Sequence, residues 1–139
     1  KRERLPQVIA ERHPDVEALF RQAEKAFAAQ RYQGAIPLYA AAILLAPDRA
    51  ALHYNRGNAH YILSRYQAAL VDYDQAISLN RSDGDLFFNR AMAHQKLGHT
   101  DAFREDLRKA AALGHRRAKE KLQQEEQLPS GAGDRHPAP

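Results

Sequence analysis

The residue types that could do chemistry in this chain are few. It holds seven histidines, seventeen aspartates and glutamates, and no cysteine. Thiol catalysis, disulfides and cysteine-ligated zinc or iron–sulfur sites are therefore excluded. No serine, histidine and carboxylate stand at a spacing diagnostic of nucleophilic or acid–base catalysis, so no enzyme activity and no small-molecule substrate are expected. The run GAG at 131–133 has no strand before it and no helix after it, so it is not a phosphate loop. Two histidines, His60 and His94, lie inside near-copies of one another, HYNRGNAHYIL at 53–63 and FFNRAMAHQKL at 87–97, which start 34 residues apart. Repeat units of this kind stack at about the usual interhelical spacing of 10 Å, so the pair is not expected to share a metal, and no cofactor is expected. Arg56 and Arg90 also recur, and each has an acid in register, Asp72 and Asp106. The preceding unit has Gln22 and Leu38 at those places and loses both charges together. That exchange predicts an Arg–Asp pair inside each unit rather than a pair of anion anchors.

The elements that position these side chains follow from the period. Taking 16–49, 50–83 and 84–117 as three units of 34 brings Asn55, Ala59 and Leu63 into register with Asn89, Ala93 and Leu97. It also aligns Tyr32, Ala35, Tyr39 and Ala42 with Tyr66, Ala69, Tyr73 and Ala76. A fixed period of this size marks stacked repeats. Apolar and small residues within each unit fall at helical spacing, and turn signals such as Ala46-Pro47-Asp48, Ser82-Asp83-Gly84 and Gly98-His99 separate them, so each unit reads as two helices. Asp48 and Asp83 are placed to cap the helices that follow, and Ser82 with Asp85 forms a capping-box pattern. Small residues recur at position 8 (Ala23, Gly57, Ala91), position 20 (Ala35, Ala69) and position 27 (Ala42, Ala76, Ala110), where two antiparallel helices must approach closely. Phe103 breaks the rule at position 20 of the third unit, beside Thr100 in place of tyrosine, a volume exchange.

These residues at this period resemble the tetratricopeptide repeat family over 16–117. The resemblance implies an all-α, right-handed superhelix of three helix-turn-helix repeats. It further implies that positions 2, 5, 6, 9, 12 and 13 of each first helix line a concave groove. Here an aromatic stands at position 5 in all three units, Phe20, Tyr54 and Phe88, and Asn55 and Asn89 stand at position 6. With Glu24, Phe27, Asn58, Tyr61 and Met92 these form the expected peptide-binding set. An amide side chain offers an acceptor and two donors, which suits both polar groups of an extended backbone. The family's clamp for the acidic tails of chaperones is not expected, because Phe20, Glu24, Asp85 and Asn89 stand where it needs Lys, Asn, Lys and Arg, and only Asn55 agrees.

The flanks complete the reading. Residues 115–127, HRRAKEKLQQEEQ, read as a polar-backed helix capping the last repeat, and 128–139 as a disordered tail. Residues 1–15 read as a linker or a partial helix, with Leu5, Val8 and Ile9 fitting a truncated second helix. The expected partner is a protein or peptide, the chain acting as adaptor or scaffold. Self-association through the repeat ends is the alternative. Nucleic-acid binding through the basic runs at 1–4 and 115–121 ranks below it, since the net charge is only +4. No apolar run approaches the roughly 20 residues of a membrane span. The chain opens on Lys1 rather than Met and so reads as a fragment or processed form; the cytoplasm is expected, with a periplasmic or membrane-tethered protein as the alternative.

Overall fold

Why these residues make helices that pair is visible at the small positions. The computed structural model describes residues 4–127, with side chains from Asp15 onward, so the tail assigned to 128–139 lies outside the described residues. The described chain is all helical: α1 (Arg4–Ala28), α2 (Tyr32–Leu45), α3 (Ala50–Ile62), α4 (Tyr66–Leu79), α5 (Gly84–Lys96), α6 (Thr100–Ala112) and α7 (Arg116–Gln127). Residues 4–15, including Leu5, Val8 and Ile9, continue the backbone of α1 without a break.

The chain divides into two units at Arg81/Ser82. In the first, α1 pairs with α2, α2 packs on α3, and α3 pairs with α4. In the second, α5 pairs with α6 and α7 packs on α6. Ala23, Ala35, Ala42, Ala69, Ala76, Ala91 and Ala110 are all fully buried at the helix crossings. Gly57 shows why: a Cβ added there would stand 2.8 Å from Tyr73 Cε1 and 3.1 Å from Asp72 Cβ. Phe103 is also buried, so position 20 of the third repeat accepts the large ring.

The Arg–Asp pairs lie between the helices of a hairpin. Arg56 donates to both carboxylate oxygens of Asp72 at 2.9 and 2.8 Å, and Arg90 does the same to Asp106 at 2.8 and 2.9 Å. Both acids are buried, so removing an arginine would strand a charge.

Each hairpin turns on a left-handed residue at position 15, with φ of 63° at Gln30, 61° at Ser64 and 77° at Gly98. The next residue's N–H then reaches back five residues, as in Arg31 to Ala26 O, Arg65 to His60 O and His99 to His94 O. That bond stops the first helix and aims the chain into the second. The capping expectations hold only at one place. Asp83 is the N-cap of α5 and accepts from the Asp85 N–H, whereas α3 starts at Arg49 with no side-chain cap from Asp48. α7 is capped by His115, whose Nδ1 accepts the Ala118 N–H.

Candidate functional site

α1 and α3 carry seven of the ten residues expected to bind peptide, and α5 carries the other three. Each set is set in place by its own hairpin. In the first unit, Glu24, Phe27, Asn55 and Asn58 converge on one concavity of about 150 Å³, lined also by Ala28 and Tyr39. Tyr39 comes from the second helix of the first repeat, and position-by-position reasoning on the first helices missed it. It is 1% exposed. Burial, and after it the Glu24 carboxylate, push its hydroxyl pKa up to about 12, so the group is a neutral O–H at any physiological pH.

The matching tyrosine of the second repeat, Tyr73, donates its O–H to Asn58 Oδ1 at 2.6 Å. Asn58 therefore supports the floor of the second repeat as well as lining the concavity. In the first repeat the residue at that position is Glu24, and among the described residues Tyr39 makes no hydrogen bond. The signal was present in the sequence: positions 9 and 24 read Glu24–Tyr39 and Asn58–Tyr73.

The aromatics of the expected set differ in what already covers them. Phe20 meets the edge of Tyr39 at 6.4 Å and lies beneath the Arg49 guanidinium, which also pairs with Glu17. Phe88 is 3% exposed; the His115 ring stacks on it at 4.3 Å and the Arg117 guanidinium stands 5.0 Å from its centre. His115 also pairs with Asp85 at 3.0 Å. The expectation that Phe88 presents its ring to a ligand is thus corrected, because the turn before α7 already occupies its face. Repeats one and three share this device, an acid at position 2, an aromatic at position 5 and an arginine at position 34 (Glu17, Phe20, Arg49; Asp85, Phe88, Arg117). Tyr54 is half-buried, 6.0 Å from Tyr73, and Tyr61 is half-buried against Tyr66 at 5.3 Å. Phe27 contacts Tyr32 in the same edge-on way at 5.0 Å. Asn55, Asn89 and Met92 are half-buried on their helices, and Glu24 is exposed.

The histidines take structural places. His53 is buried and donates to Pro47 O at 2.9 Å, and His94 meets His99 through their Nδ1 atoms at 3.0 Å. His60 leaves Nδ1 without a partner, and burial lowers its pKa, with Arg56 and Arg65 lowering it further against the opposing pull of Asp72. No group of three metal-ligating side chains occurs among the described residues.

Comparison with known proteins places this geometry. Residues 50–83 and 84–113 each match the tetratricopeptide repeat. No curated protein matches the chain. Among solved structures, the chain is similar to the second TPR domain of the human RPAP3 protein in complex with the HSP70 peptide SGPTIEEVD, with 26% identity, 83% of this chain and 98% of that one covered, and a TM-score of 0.76. It is similar to PcrH in complex with the chaperone binding region of PopD, with 21% identity, 80% and 90% coverage and a TM-score of 0.77. The Arabidopsis OM64 TPR domain matches with 22% identity, 78% and 94% coverage and a TM-score of 0.71. The all-α fold of paired helices is the one these domains share.

Proposed function

Because this chain belongs to the tetratricopeptide repeat family, we propose that it is a non-catalytic protein-interaction module that holds a peptide segment or a helix of a partner against the first helices of its repeats. The observation that carries the reading is the concavity of the first unit, where Phe27, Asn55 and Asn58 meet with the buried Tyr39. It combines apolar walls with amide groups able to pair an extended backbone. Tyr54 and Tyr61 extend the lined surface along α3; within the second unit, α5 carries Asn89 and Met92. The similar domains of RPAP3 and PcrH each hold a peptide or protein segment, in support of the same role here. An acidic chaperone tail is not the ligand we propose, since Glu24 would repel it and Asp85 is already engaged by His115. No helix among the described residues is long and apolar enough to cross a membrane.

The reading is tested by capturing a partner with the intact chain and titrating it against Asn55→Ala. Loss of an amide that pairs a buried backbone group should weaken binding by about 1 kcal/mol or more. The variant should keep its helical circular dichroism, because Asn55 faces outward. Unchanged affinity in a folded Asn55→Ala protein would remove the concavity from the mechanism.

A further inference from the structure

We propose that the concavity bounded by Glu24, Phe27, Tyr39 and Asn55 is a subsite for one lysine side chain of the bound segment. The inference rests on the groove reading above and specifies the chemistry of what enters it.

Three observations meet there. First, Tyr39 is 99% buried (1% exposed), yet its hydroxyl has no partner among the described residues, although its equivalent Tyr73 is held by Asn58. That hydroxyl lines the concavity, where a group entering it can pair with the oxygen. Second, the Glu24 carboxylate lines the same concavity and has no ion-pair partner among the described residues, although Arg21 and Lys25 flank it on α1. Every other acid lining the first-helix surface of repeats one and three is engaged, Glu17 by Arg49 and Asp85 by His115. Third, the Asn55 amide lines the same wall and has an oxygen it can turn toward a donor.

Facing a cation, all three groups can accept: a carboxylate, a phenolic oxygen whose proton stays on, and an amide oxygen. A lysine ammonium has three donors and no acceptor. The match in number favours it over a guanidinium, which has five donors in a rigid fork. The Phe27 ring and the Ala28 methyl give the aliphatic stem an apolar wall, and an aromatic face attracts a cation. The volume of about 150 Å³ suits a single side chain and not a folded element. The molecule already uses the same pairing internally, a cation on an aromatic beside an acid, at Arg49–Phe20–Glu17.

The test uses the full chain and fluorescent octapeptide pools with a degenerate background, each pool fixing Lys, Arg, norleucine or Glu at one position. Norleucine keeps the length of the lysine stem and removes the charge. The lysine pool should bind about tenfold more tightly than the norleucine pool, the size of a charge-assisted hydrogen bond. Its advantage should shrink at high salt. Glu24→Gln should bring the lysine pool down to the norleucine pool, and Glu24→Lys should reverse the order of the lysine and glutamate pools. A reversal of order cannot come from misfolding. Pools that bind in an order indifferent to charge, or an order unchanged in Glu24→Gln, would overturn the lysine subsite and leave the groove standing. An arginine pool as tight as the lysine pool would overturn the match to an ammonium. If no pool binds at all, the groove reading fails and the subsite with it.

Discussion

The first and second repeats rest on the same tyrosine, at the same position, with opposite consequences. Tyr73 is tied to Asn58 and belongs wholly to the fold. Tyr39 is buried to the same degree, yet its hydroxyl lines the concavity and makes no hydrogen bond among the described residues. At repeat position 9 the two cases differ, with Asn58 in one repeat and Glu24 in the other. The backbone scaffold repeats, so a change at one first-helix position converts a structural hydroxyl into an available one.

The contrast can be broken most severely at Gly57. A Cβ at Gly57 would stand 2.8 Å from the Tyr73 ring, so Gly57→Leu should lower stability by about 1–3 kcal/mol or more. A thermal melt within a degree or two of the parent would show that the contact at 2.8 Å is not what positions the second-repeat floor. Gly34, whose added Cβ would find its first neighbour at 3.9 Å, is the control. There an alanine should be neutral or stabilising by up to about 1 kcal/mol.

A smaller effect is expected at the hydrogen bond itself. Asn58→Ala should remove the 2.6 Å hydrogen bond from Tyr73 and cost about 1–2 kcal/mol in urea unfolding. The converse exchange, Glu24→Asn, should give Tyr39 the partner that Tyr73 has and raise stability by about 0.5–1.5 kcal/mol. If the two substitutions shift the unfolding midpoint in the same direction, the two tyrosines are not equivalent and the comparison fails.

The second repeat should also carry an acid sensitivity through His60. Its folded pKa lies below the ordinary 6.5, chiefly through burial, so the unfolded chain takes up the proton more readily. Stability from this group is present above about pH 6.5 and is lost as the pH falls below it. Subtracting the urea midpoint of His60→Gln from that of the parent at each pH between about 5 and 8 isolates this slope. A flat difference would assign the acid sensitivity elsewhere.

The smallest change concerns the turns. Gln30 and Ser64 hold the left-handed conformation that Gly98 adopts freely. Ser64→Gly relieves that conformation but frees the unfolded chain, so a gain of only about 0.5–1 kcal/mol is expected. Gly98→Ala should lose a similar amount, which calorimetry can resolve.

How much of this was legible from residues alone depended on what kind of fact it was. The Arg56–Asp72 and Arg90–Asp106 pairs were readable because both members vanish together in the first repeat, so the chain carries its own control. The small residues at positions 8, 20 and 27 were readable because volume at a helix crossing is a local requirement that recurs with the period. Asp48 was misread as a cap because a side chain of the right type does not guarantee that the helix begins one residue later. Phe88 was misread as a groove aromatic because position 5 says only which side of α5 it occupies. It does not say that His115 and Arg117, from the turn into α7, fold back onto that side.

The sequence by itself determined the period, the hairpins, the buried charge pairs and the family, since each depends on residue type repeated at fixed spacing. Only the tertiary structure decided which groove residues were already engaged. Phe20 and Phe88 lie under cations supplied by the end of their own repeats, Asn58 is held by Tyr73, and Tyr39 stands in a concavity it shares with Glu24. Those outcomes turn on hydrogen bonds and ring contacts a few ångströms long between side chains 15 to 29 residues apart, as from Asn58 to Tyr73 and from Phe20 to Arg49 or Phe88 to Arg117. At that range the chain must first close its turns before the geometry that decides them exists.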